Sequence, residues 1–297
     1  MQYLERFTLA SADAEDDFVL SPLSRQNMSC YAQNVYPFKL FPQKGLERID
    51  FAPITVLYGG NGSGKSTLLN IIAEKLKLRR TSPANLTPYY ADYLALCDCE
   101  LTYGRNVPDG SAIITSDDVF DFLLDVRAIN EGVDRRREEL FAEYSEAKTY
   151  YDRHGESFRM RSLEDYEELK RHNEARHRTK SNYTRRRLPE NLSGKSNGES
   201  AFAYFTQQIR EDALYMLDEP ENSLSAALQI ELARFIEDSV RFYRCQFVIS
   251  SHSPFILSME GARVYDLDVT PARERSWTEL ENIRAYHDFF ERHREEF

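Results

Sequence analysis

Three short apolar runs, each followed by polar or glycine-rich positions, punctuate the 297-residue chain. They are residues 54–58 (ITVLY), 213–217 (ALYML) and 245–250 (CQFVIS). Apolar runs of this length are typical of strands buried on both faces of a parallel sheet. Behind the first run, residues 66–76 carry Leu68, Leu69, Ile72 and Leu76 at helical spacing. The pattern therefore predicts an α/β fold in which strands alternate with helices.

Residues 131–190 follow a different pattern, because they are highly charged and almost free of Val and Ile. Their widely spaced Leu, Tyr and Phe residues predict one or two exposed helices, forming a hairpin that turns near Gly155. We therefore predict a first lobe at 1–130, a charged helical arm at 131–190 and a second part of that lobe at 191–297. Within the first lobe, we expect a β-rich start over 1–50 and short strands at 93–97 and 112–115.

Residues 59–67 (GGNGSGKST) fit the P-loop pattern G-x-x-x-x-G-K-[ST] at every fixed position. The predicted strand before them and helix after them match the geometry of a phosphate cradle, whereas a chance glycine turn needs neither. Lys65 is expected to reach the β- and γ-phosphates of ATP, and the Ser66 hydroxyl to hold Mg²⁺. The candidate nucleotide-binding residues of this segment are Gly59, Asn61, Gly62, Ser63, Gly64, Lys65, Ser66 and Thr67.

The other two apolar runs also end in candidate functional residues. Asp218 and Glu219 follow the second run, where Asp218 would order the Mg²⁺ shell and Glu219 would polarise a water for attack on the γ-phosphate. Adjacent carboxylates alone would be more typical of a solvated strand end. His252 follows the third run, either as a contact to the γ-phosphate or as a hydrogen-bonded turn residue.

The order of four motifs resembles that of ABC-type ATPases of the soluble, SMC- and RecF-like branch. These motifs are the P-loop, S-N-G-E at 196–199, D-E-P-E-N-S-L-S at 218–225 and S-H-S-P at 251–254. Within that branch, the chain is similar to small bacterial predicted ATPases that also carry a Tyr-Pro-Phe segment, here at 36–38. The resemblance covers 35–76 and 192–297, and it does not extend to the middle of the chain.

The resemblance implies an ABC-type ATPase head with a helical insertion between the P-loop and the signature. It also implies a homodimer that closes on ATP, in which Ser196 and Gly198 cap the nucleotide of the partner subunit and 222–225 contact the partner. In that mechanism Lys65, Glu219 and His252 are the catalytic residues. No Gln follows the P-loop where the family has one. We expect Asp117 to stand in as a second Mg²⁺ or water ligand, or to be a helix N-cap.

Composition adds little to this interpretation. The net charge of −11, the sparse cysteines and the lack of a long apolar run predict a cytoplasmic enzyme that does not contact a membrane. One segment, 170–187, which begins at Lys170 and ends at Arg187, is locally basic. It is a candidate contact for nucleic acid or an acidic partner, although a solvated helix face is an alternative.

The predicted function is Mg²⁺-dependent ATP binding and hydrolysis that couples nucleotide state to a partner or to nucleic acid, in DNA repair or anti-phage defence. The alternative is an ATP-gated scaffold for a separate effector protein, in which turnover is incidental.

Overall fold

The computed structural model describes residues 1–20, 35–84, 86–154 and 196–296. The chain forms two compact units, one of Met1–Phe120 with Asn197–Phe297 and one of Asp121–Ser196. The strands of the described residues are β1 (Leu4–Thr8), β2 (Arg48–Asp50), β3 (Ile54–Tyr58), β4 (Asp98–Leu101), β5 (Ala112–Ile114), β6 (Leu214–Asp218), β7 (Gln246–Ser250), β8 (Arg263–Asp266) and β9 (Arg273–Glu274). The α-helices are α1 (Ala12–Leu20), α2 (Lys65–Lys75), α3 (Tyr90–Leu96), α4 (Ser116–His154), α5 (Asn197–Gln208), α6 (Ala226–Phe242), α7 (Pro254–Leu257) and α8 (Glu281–Arg292).

The larger sheet of the first unit has the order β5-β6-β7-β3-β8-β9. Its first five strands run parallel, and only β9 is antiparallel to its neighbour. Every residue of β3 and β7 is buried, because helices cover parallel sheets on both faces. The three apolar runs thus form the three central strands, and the predicted α/β fold with a parallel sheet is confirmed.

A smaller antiparallel sheet, ordered β2-β1-β4, is joined to the larger one by the side chain of Gln246. The side-chain carbonyl of Gln246 accepts hydrogen bonds from the backbone N–H groups of Tyr3 and Leu4, at 2.8 and 2.9 Å. Its amide group donates to the carbonyls of Leu4 and Ala52, at 2.8 and 3.1 Å. A polar side chain at the fully buried start of β7 is therefore completely hydrogen-bonded.

The β-rich start expected over 1–50 contains β1 and β2, but helix α1 lies between them. The Ser11 hydroxyl accepts from the N–H of Ala14, and acidic residues occupy the first turn, which stabilises the start of α1. Within α1, Glu15 is only 1% exposed, and its carboxylate accepts a hydrogen bond from the N–H of Lys39. This contact ties α1 to the segment that precedes the P-loop.

The strand predicted at 93–97 is wrong, because Tyr90–Leu96 forms helix α3. Tyr90 and Tyr93 are three residues apart and are both buried, which is the spacing of one helix face. The strand predicted at 112–115 is confirmed as β5, the edge strand beside β6.

The long helix α4 begins at Ser116, fifteen residues before the predicted start of the arm. Thr115 and Asp118 form a reciprocal cap at this end. The Asp118 carboxylate accepts from the Thr115 N–H at 2.7 Å, and the Thr115 hydroxyl accepts from the Asp118 N–H at 3.3 Å. The N-cap role considered for Asp117 is therefore wrong, since Asp117 is exposed in the first turn. The predicted turn near Gly155 and the basic segment 170–187 lie outside the described residues.

None of the helices in the described part of the chain combines the length and the hydropathy that a bilayer-spanning segment needs. Cys97, Cys99 and Cys245 are free thiols.

The buried carboxyl of Glu15 leads to a prediction about stability. Burial raises the pKa of Glu15, although the N–H of Lys39 opposes this effect. In the unfolded chain the carboxyl ionises at its ordinary pKa. The free energy of unfolding should therefore fall as the pH rises from that ordinary value towards the raised pKa of the folded state. Glu15→Gln removes this loss, so the variant should be more stable than the parent at pH 8, and by a larger margin than at pH 5.

Urea unfolding at the two pH values measures this difference. Asp17→Asn is the matched control, because it removes the same charge from an exposed position of α1. Equal pH dependence of the two variants would show that the pKa of Glu15 is not raised by its surroundings.

Candidate functional site

The predicted site residues follow three neighbouring parallel strands at the same edge of the larger sheet. The P-loop follows β3, Asp218 is the last residue of β6, and His252 comes two residues after β7. Because parallel strands present their carboxyl ends at one edge, this arrangement collects residues that are far apart in sequence.

The P-loop leads directly into helix α2. Gly64 is the N-cap, with φ of 93°, a conformation that favours glycine, and no side chain caps the first turn. The N–H groups at the start of α2 thus have no side-chain cap and can bind an anion, with the positive end of the helix dipole behind them. A cavity of about 230 Å³ opens here, lined by Asn61, Gly62, Ser63, Gly64, Lys65, Ser66, Thr67 and Glu219.

Lys65 lies at the centre of this cavity and is only 4% exposed. Its ammonium group donates to the carbonyls of Gly59 and Gly60, at 2.6 and 3.1 Å. The same group lies 3.4 Å from Oε1 of Glu219. A buried cation with flexible donors in a cavity of backbone N–H groups suits a polyanionic ligand such as a triphosphate.

Asp218 joins the P-loop helix to two strands. Its Oδ1 accepts hydrogen bonds from the hydroxyls of Ser66, at 2.9 Å, and of Ser250. Burial raises the pKa of Asp218, whereas these two hydrogen bonds lower it, and burial dominates. A carboxylate and a hydroxyl in contact are the oxygen ligands that Mg²⁺ prefers, so Ser66 and Asp218 fit the predicted metal site.

Glu219 occupies a strained backbone conformation, with φ of 48° and ψ of 54°, in the left-handed region. Its carboxylate is 22% exposed and accepts from the side-chain amide of Asn222 at 2.9 Å. Burial raises the pKa of Glu219, but Asn222, Lys65 and His252 together outweigh burial and leave the pKa below its usual value. The carboxylate at the edge of the cavity is therefore ionised at neutral pH and can accept a proton.

His252 is 44% exposed, and its Nδ1 lies 3.4 Å from Oε1 of Glu221. The backbone N–H of His252 donates to the same oxygen at 2.8 Å. The hydrogen-bonded turn considered for this residue is thus present, and it is compatible with a contact to phosphate. His252 is not among the described residues that line the P-loop cavity, although it contributes to the lowered pKa of Glu219.

The two signature residues lie at and just before the start of α5. Gly198 packs closely on the 222–225 segment, since a Cβ at this position would lie 3.3 Å from the carbonyl oxygen of Ser223 and 3.0 Å from the Leu228 side chain. Among the residues described, those that line the P-loop cavity do not include Gly198. Ser196 is exposed and belongs to the unit Asp121–Ser196.

Several residues that support the P-loop were not predicted from the sequence. The carboxylate of Asp268, which follows β8, accepts the N–H of Gly60 at both oxygens, at 2.9 and 3.0 Å. The Tyr36 hydroxyl donates to the Thr67 hydroxyl at 3.0 Å. The Tyr-Pro-Phe segment was a signal for Tyr36, whereas nothing in the local sequence singles out Asp268.

A larger cavity, of about 790 Å³, lies elsewhere on the first unit. Its walls are mainly apolar, with Phe255, Trp277, Tyr286 and Phe290 prominent among them. Aromatic walls do not neutralise a triphosphate, so the smaller, polar cavity at the P-loop is the candidate nucleotide site.

Residues 107–258, just over half of the chain, match the family described as "AAA domain, putative AbiEii toxin, Type IV TA system". This range contains Asp218, Glu219 and His252, and it begins after the P-loop. No curated protein sequence matches the chain significantly.

Solved structures with a similar fold include the Smc head domain with an extended coiled coil, bound to the C-terminal domain of ScpA, from Pyrococcus furiosus. It is 16% identical, with a TM-score of 0.43, and the match covers 97% of this chain and 100% of that one. The SMC head domain from Thermotoga maritima is also 16% identical, with a TM-score of 0.35 and coverage of 74% and 88%.

The family match and the P-loop followed by a parallel sheet lead to one conclusion. The chain belongs to the AAA domain family named above.

Proposed function

We propose that this chain binds ATP with Mg²⁺ in the P-loop cavity and hydrolyses it, using Glu219 as the general base. The observation that carries this proposal is the position of the Glu219 carboxylate on the wall of that cavity, 3.4 Å from the Lys65 ammonium. An ionised carboxylate at this place can accept a proton from water that attacks the γ-phosphate.

The division of roles follows from the contacts of each residue. Lys65 and the N–H groups of the P-loop bind and neutralise the phosphates, while Ser66 and Asp218 hold Mg²⁺. When bound, Mg²⁺ would neutralise charge that develops on the phosphate oxygens. Asn222 orients Glu219 through its hydrogen bond to Oε2. His252 contacts the γ-phosphate from the neighbouring strand end.

We further propose that two subunits close around two ATP molecules. Ser196 and Gly198 of one subunit would then cap the nucleotide held by the P-loop of the other, next to the 222–225 segment. This is consistent with Gly198 packing on that segment while it lies off the lining of the P-loop cavity of its own subunit.

A further proposal concerns the cellular role of the chain. The family description names a toxin of a type IV toxin–antitoxin system, and a role in anti-phage defence or DNA repair is consistent with it. Nucleic acid bound through 170–187, or a separate effector protein, would be the partner. If the chain binds ATP without measurable turnover, the alternative of an ATP-gated scaffold holds instead.

Lys65→Ala should weaken ATP binding at least tenfold, because it removes a charge-assisted contact worth on the order of 1.5–3 kcal/mol. Isothermal titration calorimetry measures this change. Lys77→Ala is the control, since it removes an exposed lysine just beyond the other end of α2. Equal affinity in the two variants would exclude the P-loop cavity as the ATP site.

Glu219→Gln should lower the rate of ATP hydrolysis by roughly a hundredfold or more while ATP still binds, because an amide cannot accept the proton. Phosphate release and calorimetry, measured on the same sample, separate chemistry from binding. The exposed Glu231→Gln on α6 should turn over like the parent. If Glu219→Gln keeps the parental rate, another group is the base.

Ser196→Arg should block the dimer that ATP induces, because a long cation would meet the nucleotide face of the partner subunit. Light scattering with ATP, in the Glu219→Gln background that slows hydrolysis, measures the mass. Thr8→Arg, at an exposed position of the smaller sheet, is the control and should still dimerise. A Ser196→Arg dimer of normal affinity would contradict the composite site.

A further inference from the structure

A second carboxylate, that of Glu221, is buried two residues after Glu219, and the proposed chemistry does not use it. Glu221 lies in the 3₁₀ turn Pro220–Ser223 and is only 4% exposed. Its Oε1 accepts the Ser251 hydroxyl at 2.7 Å and the His252 N–H at 2.8 Å, and its Oε2 has no hydrogen-bond partner among the described residues. A buried carboxylate with an unsatisfied oxygen is costly, so something other than local packing must account for it.

Glu221 belongs to a closed ring of hydrogen bonds below the 222–225 segment. The Ser253 N–H donates to the Ser251 hydroxyl at 3.0 Å, and the Ser253 hydroxyl donates to the carbonyl of the Gln229 side chain at 2.7 Å. The Gln229 amide donates to the backbone carbonyl of Leu224 at 2.9 Å and to that of Glu221 at 3.5 Å, which closes the ring. Both serines of the Ser-His-Ser motif are thus engaged, and the backbone on either side of His252 is held in place.

The imidazole of His252 also faces Glu221. Its Nδ1 lies 3.4 Å from the oxygen that accepts the His252 N–H. A carboxylate beside Nδ1 favours the tautomer with the proton on that nitrogen. The two ring nitrogens lie on opposite sides of an imidazole, so Nε2 then points away from Glu221 and stays free to contact another group.

We propose that Glu221 is a positioning residue for His252, which it holds in the Nδ1–H tautomer with Nε2 presented to the phosphate site. The proposal deepens the proposed function and rests on it only for the identity of the group that Nε2 contacts. A neighbouring carboxylate that fixes a histidine tautomer is a common arrangement at functional sites, where the second residue acts through the first.

A double-mutant cycle separates this role from a purely structural one. Glu221→Gln and His252→Ala should each lower kcat for ATP roughly tenfold, with the Kd for ATP within about twofold of the parent. In the His252→Ala background, Glu221→Gln should change kcat by less than about twofold, because its effect passes through the imidazole. An equal loss in both backgrounds would overturn the proposal.

Ser253→Ala is the matched control, because it breaks the ring at Gln229 and leaves the contacts of Glu221 with His252 unchanged. It should keep a kcat within about twofold of the parent, because the two contacts that it removes, to Gln229 and to the Phe255 N–H, do not reach the imidazole. A Ser253→Ala loss as large as that of Glu221→Gln would assign the effect to the ring rather than to His252, and would overturn the proposal.

A spectroscopic measurement on the unaltered chain tests the proposal even if the Glu221 variants do not fold. Long-range ¹H–¹⁵N correlation at a pH where the imidazole is neutral reports the tautomer of His252, assigned by its absence in His252→Ala. The Nδ1–H tautomer supports the proposal, and the Nε2–H tautomer overturns it. If the parent hydrolyses no ATP, the proposed function fails, whereas this measurement still decides the role of Glu221.

Discussion

The arrangement of the site depends on the hydrogen bonds that the Asp218 carboxylate accepts. It ends β6, and it accepts hydrogen bonds from Ser66 in the first turn of α2 and from Ser250 at the end of β7. The P-loop helix is thereby attached to two central strands at the edge where parallel strands place functional groups. Glu219 follows directly, and from its left-handed backbone conformation its carboxylate lies 3.4 Å from the Lys65 ammonium. The sheet thus fixes the distances between the residues that we propose for ATP hydrolysis.

Much of this arrangement could be predicted from the sequence for a physical reason. A strand buried on both faces accommodates few polar side chains, so the mainly apolar runs at 54–58, 213–217 and 245–250 indicate central strands. Motif residues that immediately follow such strands must meet at one edge of a parallel sheet. The parallel pairing of β6, β7 and β3 agrees with that prediction, while the catalytic roles of Lys65, Glu219 and His252 stay predictions.

The features that could not be predicted from the sequence depend on contacts that no local sequence pattern indicates. The run at 93–97 is too short to distinguish a strand from a helix by its pattern, and the packing of Tyr90 and Tyr93 decides the outcome. Asp118 rather than Asp117 caps α4, although the Thr-x-x-Asp spacing does carry that signal. Glu221 pairs with Ser251, thirty residues away, and polar pairs at such separation follow no periodicity.

The left-handed backbone at Glu219 destabilises the fold, whereas the carboxylate at the same position serves the proposed chemistry. A residue with a Cβ pays about 1–2 kcal/mol to adopt this conformation, whereas glycine adopts it freely and asparagine more easily than glutamate. A library of substitutions at position 219, selected only for thermal resistance, would therefore be expected to enrich residues that lack a basic carboxylate. Selection of this protein for thermal stability alone would therefore tend to remove the Glu219 carboxylate, which we propose as its general base.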